Sequence, residues 1–242
     1  NRFALNSLTE RGIIIENDLN KIINNKNLTN VIIRAHGIPP VQEELLLKNN
    51  KKIFDFTCPI VKQVQLLAKK LSEQGYEIII TGKVSHPEVI GITGYCTNKY
   101  YVVKDINDVK KIDIKNIKKL ALISQTTMNS DKFNEILNYL KAERSDIKYH
   151  NTLCNLPLKI QEESINLAKK VDLMIVVGDK MSANTTTLYD KLKNITDTIF
   201  IETKEELDID NIRNYKTIGI TGGSSTPDWQ MNEIKDYIEK KV

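Results

Sequence analysis

The sequence predicts an α/β protein with three related α/β lobes, whose short parallel sheets surround a central cleft and whose first lobe is truncated. Apolar runs of strand length alternate with helical segments, and this alternation is typical of parallel, mostly buried sheets. The chain also repeats itself at one spacing. Three pairs of residues each lie 96 positions apart: Cys58 and Cys154, Gly82 and Gly178, and Phe133 and Trp229. A repeat with concordant strand order predicts lobes of similar architecture.

The repeat also predicts the lobe boundaries. Residues 1–57 are expected to be the remnant of a first lobe, residues 58–153 a second lobe and residues 154–242 a third. The segments I-I-I-E-N-D-L and V-I-I-R-A-H-G match the second half of the repeated unit. Because the chain begins without methionine, we expect it to be a fragment. Repeat symmetry implies that the missing front carries its own cysteine.

The expected elements follow in order. Helices are predicted at 1–9, 18–25, 40–48 and after Cys58, and a break at Gly12. Strands are predicted at 13–16, 31–34, 53–56, 78–81, 100–103, 121–123, 173–177, 198–201 and 217–220. Pro39 and Pro40 suit the start of the third helix, because proline is tolerated in the first helical turn. The fourth shows helical apolar spacing at Val61, Val64, Leu67 and Leu71.

Composition excludes several classes of function. The 40% hydrophobic content supports a buried core, and 35 basic and 31 acidic residues are scattered together, as on a solvated surface. Only 6% of residues are aromatic, without the basic stripe of a nucleic-acid reader, and no apolar run reaches about 18 residues, so no membrane span is expected. Three cysteines without a C-x-x-C pair favour a reducing cytoplasm.

Unusual polar residues follow the predicted strands. In an open parallel sheet, ligands bind beyond the carboxyl ends of the strands, and helix starts there favour anions. His86 and Glu88, two residues apart after the 78–81 strand, are placed for proton chemistry, although a plain polar turn is the alternative. Further polar groups follow later strands at 124–127, 178–184 and 222–225.

The cysteines at repeated positions suggest a metal site. Three thiolates from three related lobes would suit an iron–sulfur cluster with one iron open to substrate. We expect Cys58 and Cys154 to point at a common space without forming a disulfide, with loops around the same cleft that carry His36, Glu88, Thr126, Asn184 and Ser225. Cys96 has no repeat partner and is expected to be a small buried hydrophobe.

Five short motifs occur in order at the strand ends: A-H-G at 35–37, T-C-P at 57–59, H-P-E at 86–88, Q-T-T at 125–127 and S-x-N at 182–184. With these motifs the whole chain resembles the 4-hydroxy-3-methylbut-2-enyl diphosphate reductases of the non-mevalonate isoprenoid pathway. The resemblance implies reductive loss of the allylic hydroxyl of that diphosphate, giving isopentenyl and dimethylallyl diphosphate. It also implies a one-electron donor such as ferredoxin or flavodoxin.

The same resemblance implies roles for individual residues. Cys58 and Cys154 would hold a [4Fe-4S] cluster, and a further cysteine and a diphosphate-binding histidine would precede Asn1. Glu88 would donate the proton, with His86 and Thr126 completing the relay. The residues expected to bind substrate are His36, His86, Thr126, Ser182, Asn184 and Ser225.

The chain departs from the family pattern in two places. Ala183 stands where a second serine is expected beside Ser182, and Leu156, Pro157 and Ile160 replace the usual residues after the second cysteine. A divergent enzyme is favoured, because Glu88, His86, Thr126 and Asn184 remain. An inactive paralogue and a non-redox diphosphate-binding module stay open as alternatives. A nucleotide-binding domain built on G-G-S-S at 222–225 is disfavoured, since G-x-G-x-x-G spacing is missing.

Overall fold

The computed structural model describes residues 2–241 as an α/β protein with three short parallel sheets, which confirms the predicted fold class. Contacts divide these residues into two compact units, one of residues 16–154 and one of residues 2–15 with 155–241. Asn1 and Val242, the predicted ends of the first and third lobes, lie outside the described residues. The predicted lobe boundaries stay a prediction.

The helices and strands have these bounds. The helices are α1 (Arg2–Glu10), α2 (Leu19–Asn24), α3 (Pro40–Lys48), α4 (Pro59–Glu73), α5 (Pro87–Thr93), α6 (Ile106–Val109), α7 (Ser130–Glu143), α8 (Leu156–Ala168), α9 (Ala183–Leu192), α10 (Ile209–Ile212) and α11 (Asp228–Lys241). The strands are β1 (Asn30–Ile33), β2 (Lys52–Asp55), β3 (Glu77–Thr81), β4 (Tyr100–Val103), β5 (Leu120–Ser124), β6 (Lys148–Tyr149), β7 (Leu173–Val177), β8 (Asp197–Ile201) and β9 (Ile218–Gly222).

The unit of residues 16–154 contains two of the sheets. Strands β1 and β2 form a parallel pair, and the larger sheet has the order β4-β3-β5-β6 with every pairing parallel. Its central strands β3 and β5 are apolar and almost wholly buried, because successive side chains face opposite sides and helices cover both. Ile78 and Ile80 pack in one core cluster with residues of α4, and Ile79 packs in another with residues of α7.

The unit of residues 2–15 and 155–241 contains the third sheet, in the order β8-β7-β9 and again all parallel. Strand β7 is buried at every position. Leu173, Ile175 and Val177 pack with residues of α11, whereas Met174 and Val176 pack with residues of α8 and α9. The core is therefore again layered on two faces of one central strand.

The two larger sheets share one plan. Each has a central strand, β3 or β7, flanked by the next two strands of the chain. Helix α5 begins at Pro87 and α9 at Ala183, which reproduces the 96-residue spacing, and the parallel pairing of β1 with β2 corresponds to that of β5 with β6. The repeat does not preserve burial everywhere, since Phe133 is buried and Trp229 is exposed.

One prediction about elements is wrong, and one short strand lacks a prediction. Residues 13–16 form no strand, and Ile14 and Ile15 are exposed because the segment pairs with no strand in the described chain. Glu16 instead accepts hydrogen bonds from the backbone amides of Asn17 and Asp18, which lead into α2. Strand β6 was not predicted, because its two residues carry no local signal of their own.

None of the helices in residues 2–241 is long and apolar enough to cross a membrane.

Candidate functional site

The segment after β3 turns sharply into α5. His86 is the N-cap of this helix, and its Nδ1 accepts a hydrogen bond of 3.2 Å from the backbone amide of Glu88. Pro87 occupies the first turn, where its missing N–H costs nothing. Because Nδ1 is the acceptor, the neutral imidazole carries its hydrogen on Nε2 and presents that nitrogen as a donor.

Glu88 lies in the first turn of α5 and is only 2% exposed. Its carboxylate accepts two hydrogen bonds from Thr126, which follows β5: one of 2.6 Å from the backbone N–H to Oε1 and one of 3.0 Å from Oγ1 to Oε2. A buried carboxylate without such partners would be strongly unfavourable. Glu88 and Thr126 therefore form a paired, water-shielded polar group at the carboxyl ends of two adjacent strands.

Hydrogen bonds between the two strand ends hold this pair in register. Thr81 Oγ1 donates to Ser124 Oγ at 2.7 Å, directly across β3 and β5. Gln125 accepts from the backbone N–H of Lys83 at 3.3 Å and donates to Thr127 Oγ1 at 2.8 Å, so one buried amide links the two loops. These hydrogen-bonded polar side chains at the strand ends thus support the Glu88–Thr126 pair.

His36 follows β1 and meets His86 edge to face, with ring centroids 5.3 Å apart. Burial lowers the pKa of His36, and electrostatic interactions with His86 and Arg34 lower it further. Its Nδ1 is buried without a hydrogen-bond partner among the described residues. Gln65 donates to the His36 carbonyl at 3.4 Å and is itself fully buried.

Gln65 lies where three elements meet. It belongs to α4, and a Cβ added to Gly91 on α5 would come within 2.9 Å of its Nε2. A Cβ on Gly37, whose φ is +69°, would collide with the same nitrogen. Glycine at both positions is therefore what lets the A-H-G turn and α5 approach this side chain.

The two cysteines at repeated positions are fixed in equivalent ways. The backbone N–H of Cys58 donates to the carbonyl of Ala35 at 3.0 Å, and that of Cys154 donates to the carbonyl of Thr126 at 2.8 Å. Both thiols are free and half-buried. Each cysteine is thus tied to a segment that carries a predicted site residue, one beside His36 and the other at Thr126.

The loop before Cys58 has its own polar support. The Asp55 carboxylate accepts hydrogen bonds from the backbone N–H and the hydroxyl of Thr57, and it pairs with Lys62 at 3.2 Å. Burial alone would raise the pKa of Asp55, but these hydrogen bonds outweigh it and lower the pKa. Lys62 also contacts the hydroxyl of Tyr95 at 3.3 Å. The T-C-P turn is therefore anchored on both sides.

In the other unit, Ser182 is the N-cap of α9. Its Oγ accepts a 3.0 Å hydrogen bond from Thr185 Oγ1 and a longer one of 3.5 Å from the backbone N–H of Thr185. Asn184 is exposed, and its Nδ2 donates to Ser224 Oγ at 3.4 Å. Ser225 is exposed in the segment after β9. Hydroxyl and amide groups therefore lie at the carboxyl ends of β7 and β9.

The comparisons with known proteins agree with this geometry. The family model described as LytB protein matches residues 1–239. The chain belongs to the LytB family. It is 37% identical over 239 residues to the 4-hydroxy-3-methylbut-2-enyl diphosphate reductase of Clostridioides difficile (strain 630), covering 99% of this chain and 85% of that one. The enzyme of the same name from Campylobacter concisus (strain 13826) is 40% identical over 216 residues, with 89% and 78% covered.

The fold of this LytB chain is similar to those of two solved reductase structures. A structure described as (E)-4-hydroxy-3-methyl-but-2-enyl diphosphate reductase, the terminal enzyme of the non-mevalonate pathway, matches with a TM-score of 0.87 and 36% identity, covering 99% of this chain and 85% of that one. The E-1-hydroxy-2-methyl-but-2-enyl-4-diphosphate reductase from Plasmodium falciparum matches with a TM-score of 0.70 and 28% identity, with 96% and 73% covered.

The LytB chain brings some predicted site residues together within one unit, and the others belong to the second unit. His36, His86, Glu88 and Thr126 form one series of contacts within residues 16–154, which also include both cysteines. Ser182, Asn184 and Ser225 belong to the other unit. The roles of all these residues, and their arrangement around one cleft, stay predictions.

Cys96 differs from the other two cysteines of the LytB chain. It is partly buried against the core cluster of β3 and α4, and burial raises the pKa of its thiol to about 11. A thiol that resists deprotonation in this way is a poor metal ligand and matches the expected small hydrophobe. Within the described residues, no group of three or more His, Cys, Asp or Glu side chains could hold a metal ion.

The unusual residues after Cys154 do not disrupt the helix that follows. Helix α8 forms from Leu156 to Ala168, because Pro157 occupies its first turn, where proline is tolerated. Ile160 packs against the core cluster of β7 and α9. The departure from the family pattern is therefore accommodated as ordinary helix start and core packing.

Sequence reasoning missed several residues that shape the site. The Q-T-T motif contains Gln125, but the bridging role of its amide depends on the alignment of β3 with β5. Gln65 lies on the buried face of α4 between apolar positions, and a polar residue on such a face is the signal that could have revealed it. Thr185 and Ser224 adjoin predicted residues, but only the fold shows their contacts.

Proposed function

We propose that this LytB-family chain is a 4-hydroxy-3-methylbut-2-enyl diphosphate reductase. The reaction breaks the allylic carbon–oxygen bond, consumes two electrons and two protons, and releases water with isopentenyl or dimethylallyl diphosphate. The observation that carries the proposal is the buried Glu88–Thr126 pair beside His86, with the backbone carbonyl of Thr126 also anchoring Cys154. Cys58 is anchored in the same way by Ala35, next to His36. A proton donor next to thiol ligands suits a reduction that must protonate a leaving hydroxyl.

Cys58 and Cys154 would hold an iron–sulfur cluster, which we propose to be of the [4Fe-4S] type. Both thiols are free and half-buried, and thiolates are the ligands that such clusters require. When bound, a cluster of this kind supplies electrons one at a time and an iron that acts as a Lewis acid. Ferredoxin or flavodoxin would supply the electrons, in a reducing cytoplasm.

Glu88 would deliver the proton to the departing hydroxyl. A carboxyl group that is 2% exposed is shielded from bulk water, and Thr126 fixes the positions of both of its oxygens. Thr126 Oγ1 would also contact the substrate hydroxyl. His86 presents Nε2–H as a donor, because its Nδ1 is occupied by the backbone of Glu88.

His36, Ser182, Asn184 and Ser225 would bind the diphosphate. Their hydroxyl, amide and imidazole groups are neutral donors, and the N-terminus of α9 adds the positive end of a helix dipole. Because burial lowers the pKa of His36, that ring is neutral near pH 7 and binds as a hydrogen-bond donor rather than as a cation. The site would thus hold the anion without a lysine clamp.

Anaerobic reconstitution tests the proposal. The full-length protein is treated with iron and sulfide, assayed for about four irons per chain, and incubated with the allylic diphosphate and a one-electron reductant. We expect iron binding and formation of both five-carbon diphosphates. A protein that binds the diphosphate but retains no iron would instead be a non-redox binding module, and iron binding without turnover would indicate an inactive paralogue.

A further inference from the structure

The loops after β7 and β9 contain a hydroxyl that has no assigned role. Ser224 is exposed beside Ser225, and its Oγ lies 3.4 Å from Nδ2 of Asn184. We propose that Ser224 is a further diphosphate-binding residue, which supplies the hydroxyl that Ala183 lacks. This inference rests on the proposed function, because it deepens the assignment of the same anion site.

Close packing of the two loops brings Ser224 to this position. A Cβ added to Gly223 would collide with the side chain of Thr185 in the first turn of α9. One added to Gly178, whose φ is +148°, would come within 2.6 Å of Thr226 Oγ1, which in turn donates to the Val177 carbonyl at 2.9 Å. Only glycine allows this approach, so the position of the 222–225 segment against α9 is built into the backbone.

The direction of the hydrogen bonds prepares two serines as donors. Thr185 Oγ1 donates to Ser182 Oγ, and Asn184 Nδ2 donates to Ser224 Oγ. A hydroxyl has one hydrogen and two lone pairs, so a serine that accepts from its neighbour keeps its own hydrogen for another acceptor. A diphosphate offers only acceptor oxygens. Ser182 and Ser224 therefore share one arrangement, in which an internal donor turns each serine hydrogen toward a ligand.

The surroundings of Asn184 and Ser224 favour a ligand contact. Together with Gly223 and Leu188 they line a small, mostly apolar pocket against Pro157, Ile160 and Gln161 of α8. An anion bound by Ser224 would therefore lie outside this pocket, at the start of the ten-residue α9, where backbone N–H groups and the helix dipole favour negative charge. A serine hydroxyl at this place adds a neutral donor without adding a charge.

A rescue experiment tests the inference on the reconstituted holoenzyme. Ser224→Ala should raise KM for the allylic diphosphate about tenfold with kcat near wild type, because one hydrogen bond to a charged oxygen is lost. Adding Ala183→Ser to this variant should restore most of the affinity. Ser130→Ala, which removes an exposed serine at the start of α7, serves as the matched control and should leave both constants unchanged.

Two results would overturn the inference. The first is an unchanged KM for Ser224→Ala. The second is a raised KM that Ala183→Ser fails to lower, since Ser224 would then act only by bracing Asn184. Titration with inorganic pyrophosphate separates this inference from the proposed function, because it needs no turnover. If the wild type binds pyrophosphate in a Ser224-dependent way but reduces no substrate, the reductase assignment fails and the role of Ser224 stands.

Discussion

The β4-β3-β5-β6 sheet and the β8-β7-β9 sheet have a similar arrangement of strands, but the residues at the ends of their strands differ in chemistry. Both have a central buried strand, β3 or β7, and a helix that begins at equivalent positions of the repeat. After β3 the polar groups are buried and bonded to one another, as in Glu88 with Thr126. After β7 and β9, Asn184, Ser224 and Ser225 are exposed. The repeat thus sets where side chains stand, and the residue types set what they do.

This difference in burial has energetic consequences. A buried polar pair is expensive to leave half-satisfied, since the remaining partner keeps its desolvation cost without its hydrogen bond. An exposed amide that loses its neighbour is simply hydrated. Substitutions after β3 and β5 should therefore affect catalysis and stability together, whereas those after β7 and β9 should affect ligand affinity alone.

The largest expected effect is that of Glu88→Gln. The variant keeps the shape and two acceptor or donor sites but has no carboxyl proton to give, so turnover by the holoenzyme should fall by about a hundredfold or more. Glu77→Gln, at the amino end of β3, whose carboxyl end leads to α5 and Glu88, is the matched control and should retain activity. Steady-state kinetics measures both, and wild-type turnover in Glu88→Gln would remove the proton-donor role.

Replacing the partner of Glu88 should cost stability as well as rate. Thr126→Val removes the Oγ1 donor from a buried carboxylate and should lower the free energy of unfolding by about 1–3 kcal/mol, whereas Thr126→Ser should lose much less. Asn184→Ala, at an exposed position, should change it by less than about 0.5 kcal/mol. Denaturant titration compares the three, and equal losses for Thr126→Val and Asn184→Ala would erase the contrast between the regions.

Substitution of Gln65 tests whether its side chain supports the segment that carries His36. Gln65→Ala removes a fully buried amide that contacts the His36 carbonyl, and the cost should be about 1–3 kcal/mol of unfolding free energy. Gln63→Ala is the control on the same helix, because Gln63 is exposed. The Gln65 variant should also bind substrate less tightly. If both variants unfold at the same denaturant concentration, Gln65 has no supporting role.

The smallest effect is a difference in acid sensitivity. All three histidines belong to residues 16–154, and burial lowers the pKa of His36 and, together with Lys148 and Lys70, that of His150. A lowered folded pKa means that the unfolded chain takes up protons first, so stability is lost as pH falls through about 6.5. Carboxylates with lowered pKa values act only at more acidic pH.

Hydrogen exchange measures the acid sensitivity of each sheet separately. Between about pH 7 and pH 5.5, protection factors in β3 and β5 should fall more than those in β7. His150→Gln should reduce the loss in β3 and β5. Equal losses in the two sheets would mean that the histidines do not set the acid response.

The long central strands could be predicted from the sequence, but the short pieces could not. Residues 173–177 were predicted with the bounds of β7, because an uninterrupted apolar run in an alternating pattern leaves little choice. The run at 13–16 looks similar but finds no partner strand, while the two residues of β6 pair only because β5 offers an edge. Strand pairing depends on tertiary structure, so the sequence of so short a segment does not predict it.

The sequence predicts those parts of the site that directly follow the ends of apolar strands. The positions of His86, Glu88 and Thr126 follow from motifs after apolar runs, since parallel strands end at one edge. The bracing by Gln65 and the link from Asn184 to Ser224 depend on loops that approach through glycines. Such contacts join residues that are distant in the chain, so spacing alone does not show them.

The most direct test is whether Glu88 acts in proton delivery while Asn184 acts in diphosphate binding. Calorimetric titration of two reconstituted holoenzyme variants measures their affinity for the substrate. Glu88→Gln should bind the allylic diphosphate within about threefold of wild type, because its side chain keeps its hydrogen bonds to the strand end. Asn184→Ala should bind about tenfold more weakly, because it loses a donor to the diphosphate. Loss of affinity in Glu88→Gln with wild-type affinity in Asn184→Ala would contradict the account.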